Sequence, residues 1–447
     1  MLNNFLEISD NPVIVAIWLA LSSQTAIIVY LIVFLFSVLV LFIVVISVRS
    51  KDELGKDELE IVSSELKGLP QVESEKKSKS EKKEKRPRES RFYLLTETDR
   101  RAEEIKNATY DRAESLEEIC EKFRGFCASR LKLYYSISDI RRFISGMATS
   151  HVLIMQGMSG TGKTSLAYAF GEFLKNPSTI VPIQPMWKER TDIIGYYNEF
   201  TKKFNETILL QKMYEANYSD GIYVTVLDEM NIARIEYYFA EFLSLLEIPN
   251  ADSRKIEVVT DEWENDPKLL DEGQLKLPTN MWFIGTANND DSTFAISDKV
   301  YDRAMIMCLD KKSEVFYTED QDGMRISFAN FIELVNGGKK EYRITKRNER
   351  RIKELDEYMI NRYHITFGNR IMKQMKEYVS AYMACGGKEE EGIDDIVSKK
   401  IMRKLETQNP VYIRNSIDEL CENIDRIFGE DNMNLTKEYL RRLERTL

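Results

Sequence analysis

Residues 151–170 read HVLIMQGMSGTGKTSLAYAF, and this stretch decides the fold. Gly157-Met158-Ser159-Gly160-Thr161-Gly162-Lys163-Thr164 is a complete G-x-x-x-x-G-K-[ST] phosphate-binding loop. The apolar run 151–156 before it reads as a buried strand, and Ser165 to Phe170 after it reads as the start of a helix. Glycines let the backbone curl so that successive N–H groups point at phosphate oxygens. The helix N-terminus adds its positive end, Lys163 reaches the β/γ-phosphates, and Thr164 offers a hydroxyl to Mg²⁺. A chance glycine-rich turn would not carry a strand on one side and a helix on the other.

Working outward, short apolar runs alternate with helical segments from 151 to 310. The runs are 151–156, 179–183, 221–227, 281–285 and 304–309. That alternation predicts an α/β core, a mostly parallel sheet wrapped by helices. The run 221–227 ends in Asp228-Glu229-Met230-Asn231. Two acids at a strand end suit hydrolysis: Asp228 to hold Mg²⁺, Glu229 to orient and polarise a water. The run 281–285 leads into Thr286-Ala287-Asn288, a strand ending in a polar amide that can face the γ-phosphate or the water.

In order and spacing these motifs resemble the AAA+ ATPases, and within them the branch of McrB-type and dynein-related modules. The likeness covers about residues 150–385. It includes the segment Pro185–Tyr196 between the first two motifs and an expected helix Arg234–Glu247 after the acids. It implies a P-loop core at 151–310 and a mainly helical lid and C-terminal domain at 311–447. It makes Asn288 the "sensor 1" amide and places Arg303, in Val300-Tyr301-Asp302-Arg303-Ala304, as an arginine finger on a neighbouring subunit's γ-phosphate. Arg370, in Phe367-Gly368-Asn369-Arg370, becomes a "sensor 2" residue on the chain's own nucleotide. The cofactor set is then ATP, with GTP as the alternative, and Mg²⁺. Gly157, Ser159, Gly160, Thr161, Gly162, Lys163, Thr164 and Ser165 cradle the nucleotide. The implied assembly is a homo-oligomeric ring, hexameric by family habit, working on an unidentified protein partner. In one loop the chain departs from the McrB pattern: Ser292 stands where that family usually has arginine.

The N-terminus carries a different signal. Residues 26–48, AIIVYLIVFLFSVLVLFIVVISV, hold no charge and are long enough to span a bilayer as one helix. The first 25 residues are partly apolar and read as interfacial. They include Glu7 and Asp10 but no Lys or Arg, unlike a cleaved signal peptide. Arg49 and Lys51 follow directly, so the positive-inside rule puts the remainder, with its nucleotide site, in the cytoplasm. The expectation is a single-pass membrane protein. Residues 49–90 read as a charged flexible linker ending EKKSKSEKKEKRPRES, and 91–150 as a helical preface with one apolar stripe, Leu116 to Leu131. Ser115 with Glu118 suggests a capping box, and Asp322-Gly323 a hairpin.

Composition narrows the rest. The 447 residues carry a formal net charge of −10, which does not indicate nucleic-acid binding. Five cysteines at scattered spacings suit a reducing compartment, and two histidines rule against a His-based triad or His-rich metal site. No nuclease, protease or kinase motif is present. A nucleotide-gated scaffold, or a motor subunit for a nuclease or defence effector, are the alternatives to a stand-alone remodelling ATPase.

Overall fold

The computed structural model describes residues 90–288, 293–310 and 313–446. The described chain begins with an anchor. Arg91 is 2% exposed, although it carries a charge that burial penalises. Its guanidinium meets Asp261 at 2.7 Å and Asp266 at 2.7 and 3.1 Å, and lies 4.5 Å over the ring of Trp263. Two carboxylates and an aromatic face replace the water it gives up.

After two short helices the preface forms α1 (Leu116–Arg130) and α2 (Ile137–Thr149). Ser115 caps α1 by accepting from the Glu118 N–H at 3.0 Å. Glu118 reaches back one residue further than a capping box requires, to the N–H of Glu114 at 2.7 Å. Leu116, Ile119, Cys120, Phe123, Phe126 and Cys127 form the buried stripe. Phe123 lies 5.0 Å from the ring of Phe170 and 5.4 Å from that of Phe173, so the preface packs on the helix behind the phosphate loop.

The core sheet has five parallel strands. In chain order they are β1 (Val152–Gln156), β2 (Thr179–Pro182), then after a hairpin of β3 (Gly195–Asn198) and β4 (Lys203–Glu206), β5 (Tyr223–Asp228). A small antiparallel sheet of β6 (Lys255–Glu257), β7 (Leu270–Asp271) and β8 (Gln274–Lys276) precedes β9 (Met281–Ala287) and β10 (Met305–Cys308). The spatial order is β10-β1-β9-β5-β2. Every residue of β9 is buried, as a central parallel strand covered on both faces must be. All five apolar runs become these strands. The segment expected as one helix from Arg234 to Glu247 is instead two helices, Ile235–Tyr238 and Ala240–Leu246, meeting at Phe239. Two further helices flank the site: α3 (Lys163–Phe173) after β1, and α4 (Asp298–Tyr301) before β10.

The chain from 313 to 325 runs as an irregular strap, and no hairpin forms at Asp322-Gly323. It leads into α5 (Phe328–Glu341), α6 (Lys346–Tyr363), α7 (Gly368–Ala384) and α8 (Glu389–Ile396). A π-helical stretch Val397–Ile401 and a 3₁₀ stretch Met402–Thr407 follow, then α9 (Pro410–Phe428) and α10 (Asn434–Thr446). Asn409 caps α9, with Pro410 in the first turn where its missing N–H costs nothing. Among the described residues no helix is long and apolar enough to cross a membrane. The stretch 26–48 lies outside them.

Candidate nucleotide site

The loop 157–162 leaves the C-terminal end of β1 and enters α3. Gly157, Gly160 and Gly162 have φ of 145°, 76° and 93°. At Gly157 a Cβ would also come 2.4 Å from the Leu309 carbonyl oxygen, so this position is closed to any other residue. Thr161 donates to the Met158 carbonyl at 2.9 Å and tightens the turn. Ser159 and Gly160 are exposed at its tip, and Ser165 is half-buried in the first turn of α3. Lys163 is 6% exposed and folds over the loop, donating to the carbonyls of Gly157 at 2.9 Å and Met158 at 2.8 Å. Tyr135 of the preface donates to the Gly162 carbonyl at 3.0 Å, a prop that nothing in the sequence singled out.

The acids lie one strand beyond β9. The Asp228 Oδ1 accepts from Thr164 at 2.8 Å and from Thr286 at 2.8 Å. The Thr286 hydroxyl in turn accepts from the Glu229 N–H at 2.9 Å. Thr286, 2% exposed, therefore ties the two acids to β9. A hydroxyl inside an otherwise apolar buried strand was the signal for it. Glu229 is exposed and adopts a left-handed backbone, φ 52° and ψ 45°. That conformation costs a non-glycine residue about 1–2 kcal/mol and turns the chain sharply after β5. Asn231, 4% exposed, donates to the Asn288 carbonyl at 2.8 Å. Asn288 lines a recess that also contains Gly157, Gln156 and Asn231. The structure thus gathers Lys163, Thr164, Asp228, Glu229 and Asn288 at one end of the sheet. The paired Thr164 hydroxyl and Asp228 carboxylate are hard oxygen donors of the type Mg²⁺ takes, leaving the remaining positions to phosphate and water.

The two arginines lie elsewhere. Arg303 precedes β10 and lines a recess with His151 and Val152, at the opposite, N-terminal end of β1. Five residues of strand, about 16 Å at 3.3 Å per residue, separate that edge from the phosphate loop. Arg370 opens α7 and lines the same recess. Arg303 Nε lies 3.0 Å from one oxygen of Glu247, and the Arg370 guanidinium forms an ion pair with the other at 2.8 Å. The Arg303 contact is ionic rather than an aligned hydrogen bond, because the buried Nε–H finds no acceptor among the described residues. Arg370, expected on the chain's own nucleotide, is placed here with Arg303 and Glu247 rather than beside the phosphate loop. α7 packs its first turn against the edge that carries Arg303.

A five-stranded parallel sheet in this order, with the phosphate loop after β1 and the acids after β5, is the P-loop fold of AAA+ type. Residues 152–304 match the family described as AAA domain (dynein-related subfamily). Residues 320–447 match a domain of unknown function, DUF8727. No curated protein matches the chain. Among solved structures the chain is similar to a candidate ATPase from Cytophaga hutchinsonii, at 13% identity over 74% of this chain and 97% of that one, TM-score 0.45. It is also similar to a full-length MCM homolog from Methanopyrus kandleri, at 9% identity over 68% and 59%, TM-score 0.35.

Proposed function

We propose that this protein is a membrane-tethered AAA+ ATPase that works as a homo-oligomeric ring, with each active site shared between two copies. The observation that carries the reading is the separation of the parts. Lys163, Thr164, Asp228, Glu229 and Asn288 stand at one end of the sheet and Arg303 at the other. A single copy cannot bring Arg303 to its own phosphates; a neighbour can.

In such a site Lys163 leaves the Gly157 and Met158 carbonyls for the β/γ-phosphates, and the loop N–H groups take the remaining charge. Mg²⁺ held at Thr164 and Asp228 would neutralise charge on the phosphates. Glu229 accepts a proton from the attacking water, and Asn288 orients that water or the γ-phosphate. Arg303 of the adjacent copy offsets the charge that develops on the transferred group. ATP is favoured over GTP only by the general habit of such enzymes. A hexamer, a McrB-related origin, the bilayer anchor at 26–48 and a protein partner belong to the same reading.

Nucleotide affinity and phosphate release, measured in mild detergent across a dilution series, test it. Glu229→Gln should bind nucleotide and not turn it over, and wild-type activity per subunit should fall on dilution. Full turnover in Glu229→Gln, or activity indifferent to dilution, would sink the reading.

A further inference from the structure

Lys400 is 3% exposed within the π-helical stretch Val397–Ile401. A buried ammonium needs partners, and it has two: it donates to the carbonyls of Tyr301 and Ala304. These are the carbonyls on either side of Asp302-Arg303. The Tyr301 carbonyl is one of the acceptors left free where α4 ends.

Two more side chains of the C-terminal domain hold the same short segment. Gln374 of α7 donates to the Asp302 carbonyl at 3.2 Å. Arg403 pairs with Asp298 and stacks its guanidinium 3.7 Å from the ring centroid of Tyr301. On the core side Ser150 donates to the Arg303 carbonyl at 3.2 Å. Gln156, the last residue before the phosphate loop, donates to the Tyr301 hydroxyl. Packing alone would not require a buried charge here, since an apolar side chain fills such a place without the desolvation cost.

We propose that Lys400 is a positioning residue for Arg303: by fixing the peptide 301–304 it sets where that guanidinium meets a neighbouring copy's nucleotide. The C-terminal domain 320–447 thereby acts on the adjacent subunit's site and not only on its own. This rests on the shared-site reading above. It differs from the view that Lys400 is a lid residue for the chain's own nucleotide, and from the view that it merely fills the core.

Complementation separates these. Full-length Lys400→Met should lose about 10- to 100-fold in kcat, the scale expected for a misplaced group, while its half-saturating ATP concentration stays within about twofold of wild type. Mixed in equal amounts with Lys163→Ala it should regain activity, because some interfaces then join an intact loop to an intact Arg303 and Lys400. Mixed with Arg303→Ala it should gain nothing over the two variants measured alone. The opposite pattern, rescue by Arg303→Ala but not by Lys163→Ala, would assign Lys400 to its own site. Unchanged kcat, or rescue by neither, would overturn the proposal as well. The control mixture of Arg303→Ala with Lys163→Ala tests the parent reading separately; if it stays dead, shared sites are wrong and both statements fall. Should Lys400→Met not fold, Gln374→Leu takes its place. It removes one contact to the same segment without stripping a buried charge's partners, and must show the same complementation pattern with a smaller fall. Wild-type kcat in Gln374→Leu would then overturn the proposal.

Discussion

Arg303 and Arg370 share one carboxylate: the two oxygens of Glu247 lie 3.0 Å from the first and 2.8 Å from the second. Arg370 is half exposed, Arg303 and Glu247 about one third, so the pairs contribute only about 0–1 kcal/mol each to the fold. On the shared-site reading proposed above, a neighbour's nucleotide would have to displace this carboxylate from Arg303. Glu247→Gln removes both pairs and should change subunit stability by less than about 2 kcal/mol. It should lower the protein concentration for half-maximal turnover by up to about fivefold, the equilibrium equivalent of about 1 kcal/mol for the Arg303 pair alone. A higher concentration requirement would mean that Glu247 holds the arginines in their working positions.

Thr286 joins both acids to β9, and its removal is separable from removal of the acids themselves. Thr286→Val keeps the shape but leaves the part-buried Glu229 N–H without its acceptor and Asp228 with one hydroxyl fewer. A loss of about 1–3 kcal/mol in denaturant unfolding is expected, with lower kcat. Thr286→Ser, which keeps the hydroxyl, should recover most of both. Equal behaviour of the two variants would show that the methyl group, not the hydroxyl, matters.

Burial pushes the Lys400 amine down to about 7, with Asp302 opposing the shift and Arg403, Lys404 and Arg370 adding to it. In the unfolded chain a lysine keeps its ordinary value near 10.4. Between these two values the unfolded state binds the extra proton, so stability rises with pH from about 7 towards 10. Below 7 both states are protonated and the burial penalty stands in full. The difference in unfolding free energy between wild type and Lys400→Met should therefore move in favour of wild type across that window. A pH-independent difference would show that the two carbonyls hold the amine charged at its ordinary value.

Removal of residues 1–50 should release the protein from membranes and leave nucleotide affinity unchanged. The apolar stretch 26–48 and the phosphate loop are separated by the charged linker and the preface. Fractionation in high salt decides it: a truncated protein that still pellets has a second membrane contact.

The core was legible because its signals are local. Each buried strand is a short apolar run, and the phosphate loop and the acids sit at strand ends where a reader can find them. The sheet order is not local; nothing in the run 281–285 says that it inserts between β1 and β5. Asp322-Gly323 misled for the same reason. The pair favours a turn, but the Met324 N–H donates to the Phe173 carbonyl at 2.7 Å, and a Cβ at Gly323 would come 2.6 Å from that same oxygen. The glycine serves a close approach to α3, not a bend. Lys400 reads in sequence as one more surface charge among Lys399, Arg403 and Lys404; its burial and the two carbonyls it meets distinguish it. Arg370 sits two residues after a glycine at a helix start, as the family likeness suggests, yet the packing of α7 carries it to the far edge of the sheet.

The cluster around Arg91 has a mechanical consequence. A pull arriving along the chain from before residue 90 meets Arg91 first, and the guanidinium hands the load to Asp261 and Asp266. Both acids lie in the loop between β6 and β7, in the small antiparallel sheet's own segment. Tyr135, which props the phosphate loop, comes later in the chain. On the proposed reading of a tether at the N-terminal side, traction would reach the loop between β6 and β7 and, through the Arg91 carbonyl that accepts from the Phe204 N–H at 2.8 Å, the β3–β4 hairpin, both ahead of the preface in the path of the load.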